Sequence, residues 1–184
     1  VDSANTRGTG VNVNATTLGT NSYNNGAFST ITGAYSIASG NYAGGRNTLS
    51  ASKNFGATIM GSLNSVESAT ASSNYSGIAN SVVGTANRTF NSNGSLIFGA
   101  GNEITNSVTT INAPTSAGSS AKALQDTLMS SIKSSASGGS TLAIGGGNKA
   151  DYTLRTAIIG VNNPVTGTGS DVSRQNYVTG YNNT

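Results

Sequence analysis

Residues 96–104 read LIFGAGNEI, and residues 157–165 read AIIGVNNPV. Each stretch has three apolar residues, a glycine, an asparagine three positions later and another apolar residue two positions after that. The arrangement recurs in stricter or looser form along most of the chain, at Gly19, Gly33, Gly61, Gly84, Gly99, Gly145, Gly160 and Gly180. Such a recurrence indicates a repeat architecture, in which one short structural unit is stacked many times.

Asparagine holds a constant position relative to several of these glycines. The asparagines that follow a repeat glycine by three positions are Asn64, Asn87, Asn102, Asn148, Asn163 and Asn183. Glycine and asparagine accept the left-handed backbone conformation that a sharp turn requires. Asparagines stacked in successive units also form hydrogen-bonded ladders. We therefore expect each glycine and its asparagine to lie at a tight turn.

The spacing of the glycines gives the size of one unit. Gly19 and Gly33 are 14 residues apart, and Gly84 and Gly99 are 15 apart. The interval from Gly33 to Gly61 is twice 14 and so corresponds to two units. A unit of 14–15 residues is too short for a pair of helices, but it fits one coil of two short strands joined by tight turns. The sequence predicts an all-β parallel solenoid built from such coils.

The apolar triplets at 96–98 and 157–159 predict burial on two sides of a strand. Neighbouring residues of a strand point to opposite faces, so each triplet places apolar side chains both inside the coil and outside it. Repetition then presents an apolar stripe along the outside of the solenoid. Symmetric association with other copies of the chain would bury that stripe. We therefore expect a homo-oligomer.

The repeat resembles the YadA-like head domain of trimeric autotransporter adhesins, most closely at 80–84 (NSVVG) and 140–145 (STLAIG). The resemblance covers about residues 15–105 and 140–183 of a single head domain, 1–184. It implies that each subunit is a left-handed parallel β-roll and that three subunits form a homotrimer. It also implies a location on the bacterial cell surface, with membrane attachment only through a C-terminal outer-membrane anchor absent from these residues.

The resemblance implies a function in cell adhesion without catalysis. The ligand class is then a host extracellular-matrix protein or an immunoglobulin-like cell receptor. Two alternatives remain open. One is a single-chain β-solenoid that binds polysaccharide or ice through rows of hydroxyl groups, although no position carries threonine in every repeat. The other is a purely structural spacer in a surface fibre.

The residue types present make enzymatic chemistry improbable. The chain has no histidine, cysteine or tryptophan and only six acidic residues, so we expect no catalytic site, no metal site and no cofactor. The segment 145–149 (GGGNK) lacks the spacing and the hydroxyl residue of a phosphate-binding loop. The nine basic residues never form a run, which argues against nucleic acid as a partner. Glu67 and Glu103 could be brought together by stacking, but like charges repel unless a cation lies nearby.

An insertion of about residues 106–139 separates the two groups of repeats. It contains AKALQDTLMSSIK (121–133), where Leu124, Leu128 and Ile132 fall on one helical face with Met129 beside them. Either Ser119 or Ser120 could cap the start of the helix, and Gly138 and Gly139 lie just beyond its end. A helix of about 12–16 residues is marginal alone in water. It must dock on its own roll, on a neighbouring subunit or on a ligand, as a brace or as a binding surface.

Six side chains in the irregular segments are candidate ligand contacts, because aromatic and arginine anchors dominate protein interfaces. They are Tyr42, Arg46, Lys53, Phe55, Arg174 and Tyr177. The segment 164–176 is expected to form an exposed loop.

Overall fold

The computed structural model describes residues 15–40, 54–68, 76–112, 120–135 and 141–183. In chain order its elements are β1 (Thr16–Leu18), β2 (Tyr23–Asn24), β3 (Thr30–Thr32), β4 (Ile37–Gly40), β5 (Thr58–Ser62), β6 (Ser65–Ser68), β7 (Ser81–Thr85), β8 (Arg88–Phe90), β9 (Leu96–Ala100), β10 (Glu103–Thr105), α1 (Ala121–Ser134), β11 (Thr141–Gly146), β12 (Lys149–Asp151), β13 (Thr153–Leu154), β14 (Thr156–Val161), β15 (Pro164–Thr166), β16 (Ser173–Arg174) and β17 (Tyr177–Tyr181).

The strands form two long parallel sheets and one short one. The first sheet has the order β1-β3-β5-β7-β9-β11-β14-β17, and the second has the order β15-β12-β10-β8-β6-β4-β2. A third sheet pairs β13 with β16, and all pairs are parallel. The chain therefore passes from the first sheet to the second and returns one coil further along. The predicted all-β parallel solenoid is confirmed.

Successive coils approach most closely at the repeat glycines, which stack in register in the first sheet. A Cβ atom at Gly84 would stand 1.8 Å from the carbonyl oxygen of Gly99, and one at Gly99 would stand 1.8 Å from that of Gly145. The backbone angle φ is 125° at Gly84 and 143° at Gly99, a region that side chains disfavour. Glycine is therefore required by contact with the next coil as well as by backbone conformation.

Coil length varies more than the predicted 14–15 residues. Thr30 pairs directly with Thr58, and a Cβ atom at Gly33 would stand 1.7 Å from the carbonyl oxygen of Gly61. The prediction of two coils between Gly33 and Gly61 is therefore wrong, because these residues make one coil of 28. The extra length leaves and rejoins the solenoid without shifting the register of the first sheet.

A ladder of asparagines runs beside the glycines. The side-chain oxygen of Asn102 accepts hydrogen bonds from the backbone N–H and the side-chain Nδ2 of Asn148, at 3.1 and 2.9 Å. The Nδ2 of Asn102 donates to the side-chain oxygen of Asn87 at 3.0 Å and to the carbonyl oxygen of Gly145 at 2.8 Å. Each buried asparagine thus joins three coils, and its side-chain hydrogen bonds offset the cost of burying it.

Serines hold the same place in the first two described coils. Ser36 donates its backbone N–H to the hydroxyl oxygen of Ser22 at 3.1 Å, and Asn64 donates its own to the hydroxyl oxygen of Ser36 at 3.3 Å. Ser22 and Ser36 lie three positions after Gly19 and Gly33, as the asparagines do after later glycines. The ladder therefore extends two coils beyond the asparagine pattern.

The core is a narrow apolar column between the two long sheets. Its fully buried members include Ile31, Ile59, Val82, Ile97 and Ile158 from the first sheet and Ala38, Val66, Ile104 and Ala150 from the second. Within a triplet the middle residue faces this column and its neighbour faces out: Ile97 is 0% exposed and Phe98 is 57% exposed. The expectation that the triplets supply apolar groups to both sides of the strand is confirmed.

The helix α1 docks on its own solenoid, the first of the three expected possibilities. Ser120 caps it by accepting a hydrogen bond from the backbone N–H of Ala123 at 3.2 Å. Leu128 and Ile132 pack against a second apolar cluster, formed by Ala27, Phe55, Ile78 and Ile111. The backbone N–H of Asn112 also donates to the Ser131 hydroxyl at 2.8 Å. The helix therefore covers a cluster to which several coils contribute.

Several details of the predicted insertion need correction. Ser135, rather than a glycine, caps the end of α1, and Gly138 and Gly139 lie outside the described residues. Leu124 is half-buried, whereas Met129 is 42% exposed and is no part of the apolar contact. Residues 106–111 belong to the solenoid, since Ser107 accepts a backbone hydrogen bond from Asn93 and Ile111 is buried. Within the described ranges, no helix is long and apolar enough to span a membrane.

We predict that Gly99→Ala destabilises the protein far more than Gly147→Ala. Both glycines have positive φ, but a Cβ atom at Gly147 would have no atom within 4 Å. Gly147→Ala should therefore cost only the left-handed backbone penalty, about 1 kcal/mol. Gly99→Ala adds a clash with the backbone of the next coil and should cost at least about 3 kcal/mol. Urea unfolding of both variants measures the difference, and equal losses would contradict the stacking constraint.

Candidate interaction surfaces

The outward side of the first sheet is apolar and uncharged. None of its eight strands contains Asp, Glu, Lys or Arg. We call its apolar side chains the apolar face: Met60, Val83, Leu96, Phe98, Leu142, Ile144, Ile159, Val161, Tyr177 and Tyr181. The six large side chains counted as exposed are between 40% and 75% accessible. A continuous uncharged surface of this kind is typical of the centre of a protein interface.

The chemistry of this surface changes along the axis of the solenoid. The strand position three residues before each glycine is occupied, from the first coil to the last, by Thr16, Thr30, Thr58, Ser81, Leu96, Leu142, Ala157 and Tyr177. Hydroxyl side chains hold the first four coils, and apolar or aromatic side chains hold the last four. A row of hydroxyls for binding ice or polysaccharide therefore ends at the fourth coil.

The second sheet differs, because charged residues recur along it. Arg88 donates from Nε to Glu67 Oε1 at 3.0 Å and from Nη1 to Glu103 Oε1 at 2.9 Å. The guanidinium carbon also lies 5.1 Å from the centre of the Phe90 ring. Lys149 follows Glu103 in register on the next strand. The repulsion expected between Glu67 and Glu103 is relieved by a cation in the coil between them.

The charge state of Arg88 follows from these neighbours. Desolvation lowers the pKa of Arg88, but hydrogen bonds and charge attraction from Glu67 and Glu103 outweigh it, so the pKa is raised. The guanidinium therefore stays positive at any pH at which the protein is folded. Its side chain is 42% exposed, so the network is a surface network partly screened by water.

The six predicted ligand contacts do not form one site. Tyr42, Arg46 and Lys53 lie outside the described residues. Phe55 is only 4% exposed, and its ring centre lies 5.3 Å from that of Phe28. Its prediction as an exposed contact is wrong, because the ring fills the cluster beneath α1.

The last two candidates are exposed but lie on different sheets. Arg174 is on β16 in the short sheet, and Tyr177 is 71% exposed on β17 in the first sheet. The segment predicted as a loop, 164–176, contains strands β15 and β16. Only the turn between them is irregular, and it is closed by a 2.8 Å hydrogen bond from the Thr168 N–H to the Asp171 carbonyl oxygen.

Sequence reasoning missed Met60, Phe98 and Tyr181 as candidate surface residues. They flank the repeat glycines at positions that alternate with the buried core, and this alternation was the available signal. In the part of the chain that the structure describes, no group of three or more acidic, histidine or cysteine residues is placed to hold a metal ion.

Comparisons with protein-family models, with curated proteins and with solved structures find no match to this chain.

We predict that Arg88→Met lowers the free energy of unfolding by about 1–2 kcal/mol, because it leaves the 8%-exposed Glu67 and its neighbour Glu103 without their shared cation. Lys149→Met is the matched control: its side chain is exposed on the same sheet, so a change within about 0.5 kcal/mol is expected. Chemical unfolding at neutral pH compares the two variants. Equal effects would show that the Arg88 network adds nothing to stability.

Proposed function

We propose that this chain is the head of a bacterial surface adhesin of the YadA-like type, a left-handed parallel β-roll that acts as a homotrimer and binds host proteins without catalysis. The observation that carries the proposal is the uncharged apolar face, which runs beside a charged sheet on the same solenoid. In this proposal the head lies on the cell surface, and the full-length protein is held there by an outer-membrane anchor.

Other copies of the same chain are the best cover for the apolar face. A soluble protein rarely leaves Phe98, Tyr177 and Tyr181 all more than half exposed on one uncharged surface. The face repeats coil by coil, so a second copy presents the same spacing and can match it along its whole length. Burial of these side chains would stabilise the assembly by roughly 25 cal/mol for each Å² of apolar surface removed from water.

The gradient along the face favours parallel over antiparallel association. In a parallel arrangement, the coils that carry Thr16, Thr30 and Thr58 meet their own counterparts, and the apolar coils meet apolar coils. An antiparallel pair would bury these hydroxyl groups against Leu142 and Tyr177, where they would lack hydrogen-bond partners. Parallel copies close around one axis that runs along the solenoid. The resemblance to YadA-like heads sets the number of copies at three.

The proposed trimer leaves the charged second sheet and the exposed side of α1 available to partners. Three identical surfaces on one rigid body allow weak contacts to a host matrix or receptor protein to add up through avidity. Arg174 and the masked candidates Tyr42, Arg46 and Lys53 remain proposed contacts. Tyr177, by contrast, would be buried between subunits.

The oligomeric state is the first test. Light scattering should give about 55 kDa, three times the chain mass of 18.2 kDa. Phe98→Lys places a charge on the apolar face and should yield a folded monomer, since its side chain is already 57% exposed in one chain. Thr166→Lys, on the exposed edge of the second sheet, is the control and should remain trimeric. A folded parent monomer at high concentration would instead favour the single-chain polysaccharide- or ice-binding solenoid.

Adhesion requires a separate measurement. We predict saturable binding of the trimer to an immobilised matrix protein such as collagen or fibronectin, with much weaker apparent affinity for the Phe98→Lys monomer. Adhesion by the whole surface protein after this segment is replaced with an unrelated roll of equal length would contradict a ligand-binding role and support a spacer.

A further inference from the structure

The last described coil presents an unprotected strand edge. Among the described residues, β17 pairs only with β14 and ends the first sheet. The backbone N–H of Asn182 donates to Val161 in the preceding coil, so by alternation the N–H of Thr179 points to the open side. The strand reads YVTGY and has no proline or charge to block pairing, whereas β15, at the same end of the second sheet, begins with Pro164.

Gly180 leaves a vacant position on this edge. At each of the seven preceding repeat glycines, the place of the missing Cβ lies within 1.6–1.9 Å of a carbonyl oxygen from the next coil. At Gly180 the nearest atom to that place is the Nδ2 of Asn183, in the same coil, at 3.2 Å. Gly180 nevertheless keeps a φ of 121°, as in the stacked coils. The coil thus has the shape of an interior coil without its neighbour.

Asn183 leaves a hydrogen-bond acceptor at the same edge. In the interior of the ladder, Asn148 Oδ1 accepts both the backbone N–H and the Nδ2 of Asn163. Asn183 continues the pattern on its inner side, where its backbone N–H and Nδ2 donate to Asn163 Oδ1 at 3.1 and 2.7 Å. No described residue donates to the Oδ1 of Asn183. This oxygen therefore faces the position that a following coil would occupy.

We propose that this edge binds the first described coil of a second copy, so that solenoids join head to tail along their axis. We call it the axial edge, formed by β17, Gly180 and Asn183. Placing Gly19 of the second copy over Gly180 puts the carbonyl oxygen of Gly19 in the vacant position. The backbone N–H of Ser22 then lies opposite Asn183 Oδ1, as that of Asn163 lies opposite Asn148.

The two ends match in chemistry as well as in shape. β1 of the second copy pairs only with its own β3 among the described residues, so its other side has backbone groups to offer. The register set by the glycines places Thr16, Thr17 and Leu18 beside β17, and none of these residues is charged. Parallel pairing of the edges would satisfy the backbone groups on both.

This contact differs in symmetry from the lateral association proposed above. It joins two different surfaces, so it does not close and produces a series of lengths. The average mass should therefore rise continuously with protein concentration, instead of reaching a single value. The inference does not depend on the number of copies held together by the apolar face.

Thr179→Pro tests the axial edge. Proline removes the N–H that points to the open side, whereas pairing with β14 uses the N–H groups of Val178 and Gly180 and should persist. The parent chain should form rods of several lengths by electron microscopy, with a mass that increases with concentration in sedimentation experiments. Thr179→Pro should lose this increase, and Thr179→Val, which keeps the N–H, should behave as the parent.

A mixing experiment guards against misfolding of the variant. Thr179→Pro keeps an intact first coil, so a small amount added to the parent should dock on free axial edges and shorten the rods. An unfolded variant would leave rod length unchanged and would show a lost β-sheet circular dichroism spectrum. A parent mass that stays constant with concentration, or a folded Thr179→Pro that assembles as the parent does, would overturn the proposal.

The lateral and axial contacts are separable with Phe98→Lys. If lateral association fails and axial association holds, this variant should form thin rods whose mass still rises with concentration. If the axial contact fails and the lateral one holds, the parent should give one mass of about 55 kDa at all concentrations, three times 18.2 kDa.

Discussion

The close approach of neighbouring coils at the glycine stack governs the rest of this structure. A carbonyl oxygen of one coil fills the place where a side chain would begin on the coil before it, at distances of 1.6–1.9 Å from the missing Cβ. This contact leaves little freedom for one coil to slide or rotate on another. Because a shift of one residue would turn every side chain of a strand to the opposite face, the glycines also determine which residues are buried.

The fixed register produces the two contrasting surfaces. Ile97 and Ile158 face the interior in successive turns, so their neighbours Phe98 and Ile159 must face outward in the same row. On the second sheet the same regularity brings Glu67, Arg88 and Glu103 into adjacent coils, where they pair. Stacking thus turns a short sequence pattern into continuous apolar and charged surfaces, and the proposed assembly depends on that continuity.

The register also allows long excursions from the solenoid. The coil from Gly99 to Gly145 contains the helix α1, yet β9 and β11 pair as closely as strands of consecutive short coils. The helix returns to cover Phe55 and Ile111, residues that are distant in sequence. Irregular segments can therefore diverge in sequence and carry specific contacts while the stacked coils maintain one rigid axis.

Local sequence determined the repeat, the parallel coils, the turn residues and the existence and face of the helix, because each depends on periodicity or on the backbone preference of one residue type. Tertiary structure alone decided that Gly33 and Gly61 are neighbours, that Phe55 is buried under α1 and that Arg88 lies between two glutamates. These outcomes depend on which residues stack across coils of unequal length. The spacing of 28 residues fits two short coils as well as one long one, and only the contact between the two glycine backbones distinguishes them.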